Sequence, residues 1–120
     1  MKIDSTEFGS ITIDGTTYSH DILIQLSGEV VKRKKKLSKK YYGTSHIISL
    51  EEAEFVYEKG CDTLVVGTGQ YGNVRLSPEA AGFFGHHGCR VILMPTPDAI
   101  ETFNKTRSKA KAIGLFHVTC

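Results

Sequence analysis

Gly67, Gly69 and Gly72 fall in the order G-x-G-x-x-G at the end of the apolar run 63–67. With that spacing a strand-to-helix turn cradles the pyrophosphate of a dinucleotide, because the glycines let backbone N–H groups at a helix start approach the phosphates. The chemistry needs the helix to open at once. Here Asn73, Val74, Arg75 and Leu76 read as extended, and the helix-start signal, Ser77-Pro78-Glu79, comes five residues after Gly72. A dinucleotide site also needs an acid about 20 residues on, at the end of the next strand. That strand, 90–94, runs into Pro95 and Thr96, and the first carboxylate is Asp98. Two requirements fail, so the glycines are expected to turn a tight loop at a sheet edge, and no nicotinamide, flavin or other cofactor is expected.

Other reactive residues are sparse. His117 and Cys120 invite a base–nucleophile reading, but positions three apart on a strand face opposite sides. His86, His87 and Cys89 resemble metal ligands in composition. However, adjacent histidines at a helix end diverge and Gly88 breaks the helix before Cys89, so no metal is assigned; a charge–dipole contact explains one histidine. The three cysteines, Cys61, Cys89 and Cys120, form no C-x-x-C pair and read as reduced, mostly buried thiols. No catalytic constellation emerges, and whether the chain is an enzyme stays open.

The elements that must position any site read as follows. Residues 11–18 alternate around Asp14-Gly15, a pair suited to a type I′ hairpin turn. Residues 21–26 form a third strand, and 28–31 either continue it or add another. Residues 32–40 hold seven cations in nine positions and are read as a solvated, self-repelling loop. A repeated α/β phrase follows. Ser49 and Glu52 make a capping box for a helix ending at Gly60, and a strand follows at 63–67. The helix from Pro78 ends near His86, His87 and Gly88, and leads into strand 91–94. A third helix, with Thr96 as N-cap and Pro97 in its first turn, reaches about 109–111, and the last strand is 115–119. "Gly-Cys, polar residue, apolar strand" occurs at Gly60-Cys61 and again at Gly88-Cys89, 28 residues apart.

This pattern predicts an α/β fold: one three-layer domain over 1–120. It has a mixed central sheet with parallel βαβ units in the C-terminal two-thirds, and an N-terminal antiparallel hairpin forming or extending an extra β layer. The longest apolar run is far short of the roughly 18 residues that span a bilayer. The first eight residues lack a secretory core and are too acidic for a transit peptide. A cytoplasmic location and no membrane contact are expected.

Ligands of open α/β sheets sit outside the carboxyl ends of the strands. If strands 63–67 and 91–94 are neighbours, their loops and two helix N-termini share a crevice suited to a small anion. Thr68, Gly69, Gln70, Tyr71, Asn73, Arg75 and Thr96 are its candidate ligand contacts. The candidate partner-binding residues are Lys32, Arg33, Lys34, Lys35, Lys36, Lys39 and Lys40, followed by Tyr41 and Tyr42. A single cationic loop without a nucleic-acid-binding fold favours an unknown protein partner over nucleic acid. A homo-oligomer stays open.

The ordered set of residues 4–11, the run 62–69, Pro95-Thr96 and the ending 114–120 resembles a small α/β domain family of unknown function, first defined from a methanogen hypothetical protein. That family includes a vertebrate adipogenesis-associated protein and, more distantly, a mitochondrial complex I assembly factor. The resemblance implies a three-layer domain with an extra β layer and roles in binding, assembly or regulation, and it supplies no catalytic residues. Other members carry tryptophan and arginine after the early strands; this chain has no tryptophan and places residues 33–36, Arg-Lys-Lys-Lys, there. Partner contacts made through those aromatics do not carry over.

Overall fold

A computed structural model describes residues 2–118. Chain order is β1 (Ile3–Glu7), β2 (Ser10–Ile13), β3 (Thr16–Tyr18), β4 (Ile22–Ile24), β5 (Val30–Lys32), α1 (Lys36–Tyr42), β6 (Ile47–Ile48) and α2 (Leu50–Val56). Then follow β7 (Thr63–Thr68), β8 (Arg75–Leu76), α3 (Pro78–His86), β9 (Arg90–Met94), α4 (Thr96–Arg107) and β10 (Ala112–His117). The central sheet is β5-β4-β10-β7-β9; β7 is parallel to both β9 and β10, while β4 is antiparallel to β10 and β5. The first three strands form a separate antiparallel sheet, and β6 pairs with β8 in a parallel two-stranded one.

From β7 the chain crosses through α3 to β9 on one side, then through α4 back past β7 to β10. Two right-handed crossovers stepping in opposite directions must place their helices on opposite sheet faces. The packing has that form. Leu64, Val66, Ile113, Leu115 and Leu23 meet Ala53 and Val56 of α2 and Ala80 and Phe84 of α3. Val65, Phe116, Ile22 and Ile24 meet Ala99 and Phe103 of α4, together with Ile3, Ile11 and Ile13 of the small sheet. Alternate residues of each strand go to opposite layers, so β7 and β10 are buried at every position.

Local signals behave as their chemistry requires. Asp14 (φ 48°) and Gly15 (φ 83°) make the left-handed hairpin turn. Ser77 Oγ accepts the Ala80 N–H and Pro78 opens α3, so the extended stretch after the glycine loop is real. Several expectations need correction. The stretch 32–40 is not a loop: Lys36–Tyr42 is helical, closed by Gly43 in the left-handed conformation. Its lysines fan outward while Ser38 turns into the core, and tertiary contacts to α2 override charge repulsion. Helix α2 stops at Val56, with Gly60 (φ 98°) in a later turn, and α4 stops at Arg107. Thr96 is the first residue of α4 rather than its cap, because its hydroxyl is used elsewhere.

Candidate functional site

The strand register builds a charged row at the carboxyl end of the central sheet. Phe116, Ile22 and Lys32 lie side by side on β10, β4 and β5. One step further along the three strands come His117, Asp21 and Arg33. Phe116 and Ile22 face α4, so by alternation His117 and Asp21 turn to the opposite layer, the side of α2, which brings Glu52. Asp21, Arg33, Glu52 and His117 are all buried.

Arg33 is the hub. Its Nη1 donates to Asp21 Oδ2 at 2.9 Å, its Nε to Glu52 Oε2 at 2.6 Å, and its Nη2 to Glu52 Oε1 and the Ser45 carbonyl at 3.0 and 2.7 Å. Asp21 Oδ2 also accepts from His117 Nδ1 at 2.7 Å, and its Oδ1 accepts the Val118 N–H at 2.9 Å. Burial opposes the Asp21 charge, but the His117 and Val118 hydrogen bonds and the Arg33 charge prevail, holding its carboxyl down at about 2. The ionised carboxylate can only accept, so the Nδ1 of His117 carries the proton. His46 stands edge-on to His117, ring centroids 5.3 Å apart. Ser38 Oγ donates to Glu52 Oε1 at 2.5 Å and accepts the Ser49 N–H at 2.9 Å. The capping box of α2 is therefore half formed: Ser49 Oγ accepts the Glu52 N–H, while the Glu52 carboxylate serves Arg33.

Beside this row opens a cavity of about 550 Å³ lined by segments 19–21 and 32–36. Asp21 and Arg33 reach its wall, and Lys35 Nζ lies 3.6 Å from Asp21 Oδ2. Among the described residues Lys32, Lys34 and Lys36 have no carboxylate within ion-pair distance. The acid in the wall is thus matched from within, and the rim carries excess positive charge. Lys34 sits over the Phe55 ring at 4.5 Å.

The crevice between the ends of β7 and β9 is built differently. Thr96 Oγ1 accepts the Gly69 N–H at 2.9 Å and donates to the His117 carbonyl at 2.7 Å, while the Thr96 N–H donates to Gly69 O at 3.0 Å. A Cβ on Gly67 would come within 2.8 Å of both Thr96 Oγ1 and Phe116 Cδ1. The glycine loop is riveted to α4. Of the residues expected to gather there, Thr68, Gly69 and Thr96 are buried in this join, Gln70 leans toward Thr6, Tyr71 and Asn73 face solvent on the loop beyond, and Arg75 is exposed at the start of β8.

Among the basic residues Lys32, Lys34, Lys36, Lys39 and Lys40 face solvent, Lys35 is half-buried and Arg33 is internal. Lys40 pairs with Glu51 at 2.7 Å, and the Tyr41 hydroxyl donates to the same side chain at 2.7 Å. His87 Nδ1 donates to the Phe83 carbonyl at 2.9 Å and Cys89 points inward. Cys120 lies outside the described residues. Sequence reading missed the charged row; its trace was one arginine among lysines and one aspartate at the mouth of an apolar strand.

A mixed five-stranded sheet with α2 and α3 on one face, and α4 with a small antiparallel sheet on the other, defines a small three-layer α/β domain. Over residues 3–117 the chain matches the family described as "Protein of unknown function (DUF498/DUF598)", and it belongs to that family. It is similar to a conserved hypothetical protein, PH1505, of Pyrococcus horikoshii OT3, with 39% identity, TM-score 0.94 and all of both chains covered. It is also similar to a solved structure called MT938, with 31% identity and TM-score 0.83 over 99% of this chain and 98% of that one. A Bordetella pertussis protein described as a Mth938-like domain shares the fold at 19% identity and TM-score 0.64, over 98% of this chain and 85% of that one. Among the described residues no helix is long and apolar enough to cross a membrane.

Proposed function

We propose that this protein is a non-catalytic binding module that takes a small polyanion, bearing phosphate or carboxylate groups, in the cavity formed by 19–21 and 32–36. The observation that carries the reading is the charge balance: Asp21 is matched by Arg33, and Lys32, Lys34 and Lys36, which have no carboxylate within ion-pair distance among the described residues, line a cavity of about 550 Å³. The cavity lies at the carboxyl end of the sheet, where α/β folds hold ligands. Its wall is ordered by buried hydrogen bonds, so lysines next to Arg33 have a fixed backbone frame. The glycine-loop residues Thr68, Gly69, Gln70, Tyr71, Asn73, Arg75 and Thr96 are a poorer choice, because Thr96 already uses the donors and acceptors between the strands.

Thermal denaturation at low ionic strength with pyrophosphate, triphosphate or citrate tests this. A hundredfold excess over Kd adds about 2.7 kcal/mol of stability. The combined K32E/K34E/K36E variant should melt normally and lose the shift. Equal shifts from sulfate at matched ionic strength, or a shift that survives the triple variant, would reject the cavity.

A second reading is favoured by a separate feature. Tyr41, Tyr42 and Leu50 are 59, 40 and 39% exposed, and line a groove with Glu51, Glu54 and Glu79. Apolar rings rimmed by acids fit a protein segment pairing an apolar side chain with a basic one. The resemblance to an adipogenesis-associated protein and a complex I assembly factor points the same way. Pull-down with wild type and with Y41E/L50E decides it; equal recovery of partners by both removes the groove from consideration. A second copy of the chain is also a possible partner, which light scattering reads directly. Nucleic acid fits less well, because Glu51 stands among the tyrosines that would stack on bases.

A further inference from the structure

The repeated Gly-Cys phrase has no part in anion binding, yet it brings two nucleophiles together. Gly60 (φ 98°) and Gly88 (φ 68°) are left-handed turns, each delivering the next residue to the amino end of a parallel strand. Thr63 of β7 pairs with Arg90 of β9, and the Arg90 N–H donates to the Asp62 carbonyl at 2.9 Å. That join sets Cys61 and Cys89 side by side. Their Sγ atoms are 3.9 Å apart, both residues are buried, and both belong to the layer under α2 and α3. Among the described residues both are free thiols.

We propose that Cys61 and Cys89 form a redox-linked pair, a covalent modification site at which a small disulfide oxidant closes a bridge between the amino ends of β7 and β9. The bond needs the sulfurs to close to about 2.05 Å, which side-chain rotation with a small strand adjustment supplies. Atoms and electrons balance by thiol–disulfide exchange. The Cys61 thiolate attacks one sulfur of the oxidant, RSSR, and expels RS⁻. The Cys89 thiolate then attacks the Cys61 sulfur of the mixed disulfide and expels the second RS⁻. Two protons pass from the cysteines to the two RS⁻, so the protein loses two protons and two electrons, and RSSR becomes two RSH. Burial, and then the neighbouring Cys61, push the Cys89 thiol up to about 12. Both cysteines are buried, so the reaction is gated by local opening rather than surface encounter.

The experiment uses full-length protein carrying Cys120→Ser, exposed to hydroxyethyl disulfide under native conditions, followed by intact mass and peptide mapping. The expected result is loss of two hydrogens, a Cys61–Cys89 peptide, and a Tm raised by about 8–16 °C for a bridge across 28 residues, lost on adding dithiothreitol. Cys61→Ala and Cys89→Ala variants should each stop at one free thiol or one mixed disulfide, with no Tm rise. Persisting free thiols in the native double-cysteine protein, a stable mixed disulfide, a bridge formed only in denaturant, or a lowered Tm would each overturn the proposal. None of these outcomes bears on the anion cavity, which lies at the other end of the sheet.

Discussion

Replacing Arg33 with methionine is the sharpest probe of the charged row. The substitution keeps side-chain length and removes the cation. Four hydrogen bonds disappear: two to Glu52, one to Asp21 and one to Ser45. The carboxylates are not affected equally. Asp21 keeps His117 and the Val118 N–H, with Lys35 Nζ at 3.6 Å, whereas Glu52 keeps only Ser38 among the bonds described. Glu52 becomes a buried anion without a cation, a situation that costs about 3–5 kcal/mol. With about 2.1 cal/mol/K of unfolding entropy per residue, 120 residues carry about 0.25 kcal/mol/K, so Tm should fall by about 12–20 °C. Glu52→Gln added to Arg33→Met should recover at least half of the loss. Urea titration and calorimetry of the wild type, both single variants and the double variant give the coupling. Lys39→Ala, on the exposed face of α1, is the control and should stay within about 0.5 kcal/mol. A loss below about 1 kcal/mol for Arg33→Met would show that Arg33 behaves as one more solvated cation of the basic run, and the charged row would not organise this edge.

Asp21 makes a pH prediction of definite sign. Its folded value of about 2 lies below the ordinary 3.8, so the unfolded chain takes up the proton first. The stabilisation is complete above pH 4 and is lost as pH falls through 2; acid titration of stability should flatten there in Asp21→Asn, and an unchanged slope would assign the acid sensitivity elsewhere. Thr96→Val leaves the Gly69 N–H and the His117 carbonyl without their side-chain partner and should cost about 1–3 kcal/mol by urea titration; a neutral result would remove the rivet. Gly114→Ala puts a Cβ 2.5 Å from Phe116 and 2.9 Å from Phe103, so a loss of about 1–3 kcal/mol or failure to fold is expected, and normal stability would mean the two rings yield freely.

How much was legible in the sequence follows from how far apart the cooperating residues lie. Ser77-Pro78-Glu79 and Asp14-Gly15 carry their instructions within a few positions, so α3 and the hairpin could be read directly. The apolar runs 63–67 and 91–94 declared themselves as strands, and their parallel pairing follows from the helix between them; β7 is buried throughout, whereas β9 lies at the sheet edge with Leu93 exposed, which its apolar run did not announce. The charged row is different. Asp21 meets Arg33 across 12 residues, Arg33 meets Glu52 across 19 and His117 meets Asp21 across 96; the first and last depend on strand register and the second on how α2 packs on the sheet. A capping-box glutamate gives no local sign that a distant guanidinium will claim it. Helix α1 was missed because its own residues repel; Ser38 reaching Glu52 and Ser49, and Glu51 meeting Lys40 and Tyr41, are what hold it. The loops after β7 and β9 could be brought together from the sequence, but nothing local to Thr96 announces that its hydroxyl bridges two segments there.

The central sheet ends at β9, whose far side has no strand partner among the described residues, and Leu93 there is 44% exposed. Such a border is where foreign chains can add themselves to a protein. Here the vulnerable ribbon is short: Arg90 places a charge at its start, and Pro95, which has no N–H to offer, stops it one residue after Met94. Both punctuation marks sit where an incoming chain would have to begin or finish pairing, so solubility at this margin depends on two residues that contribute little to the interior.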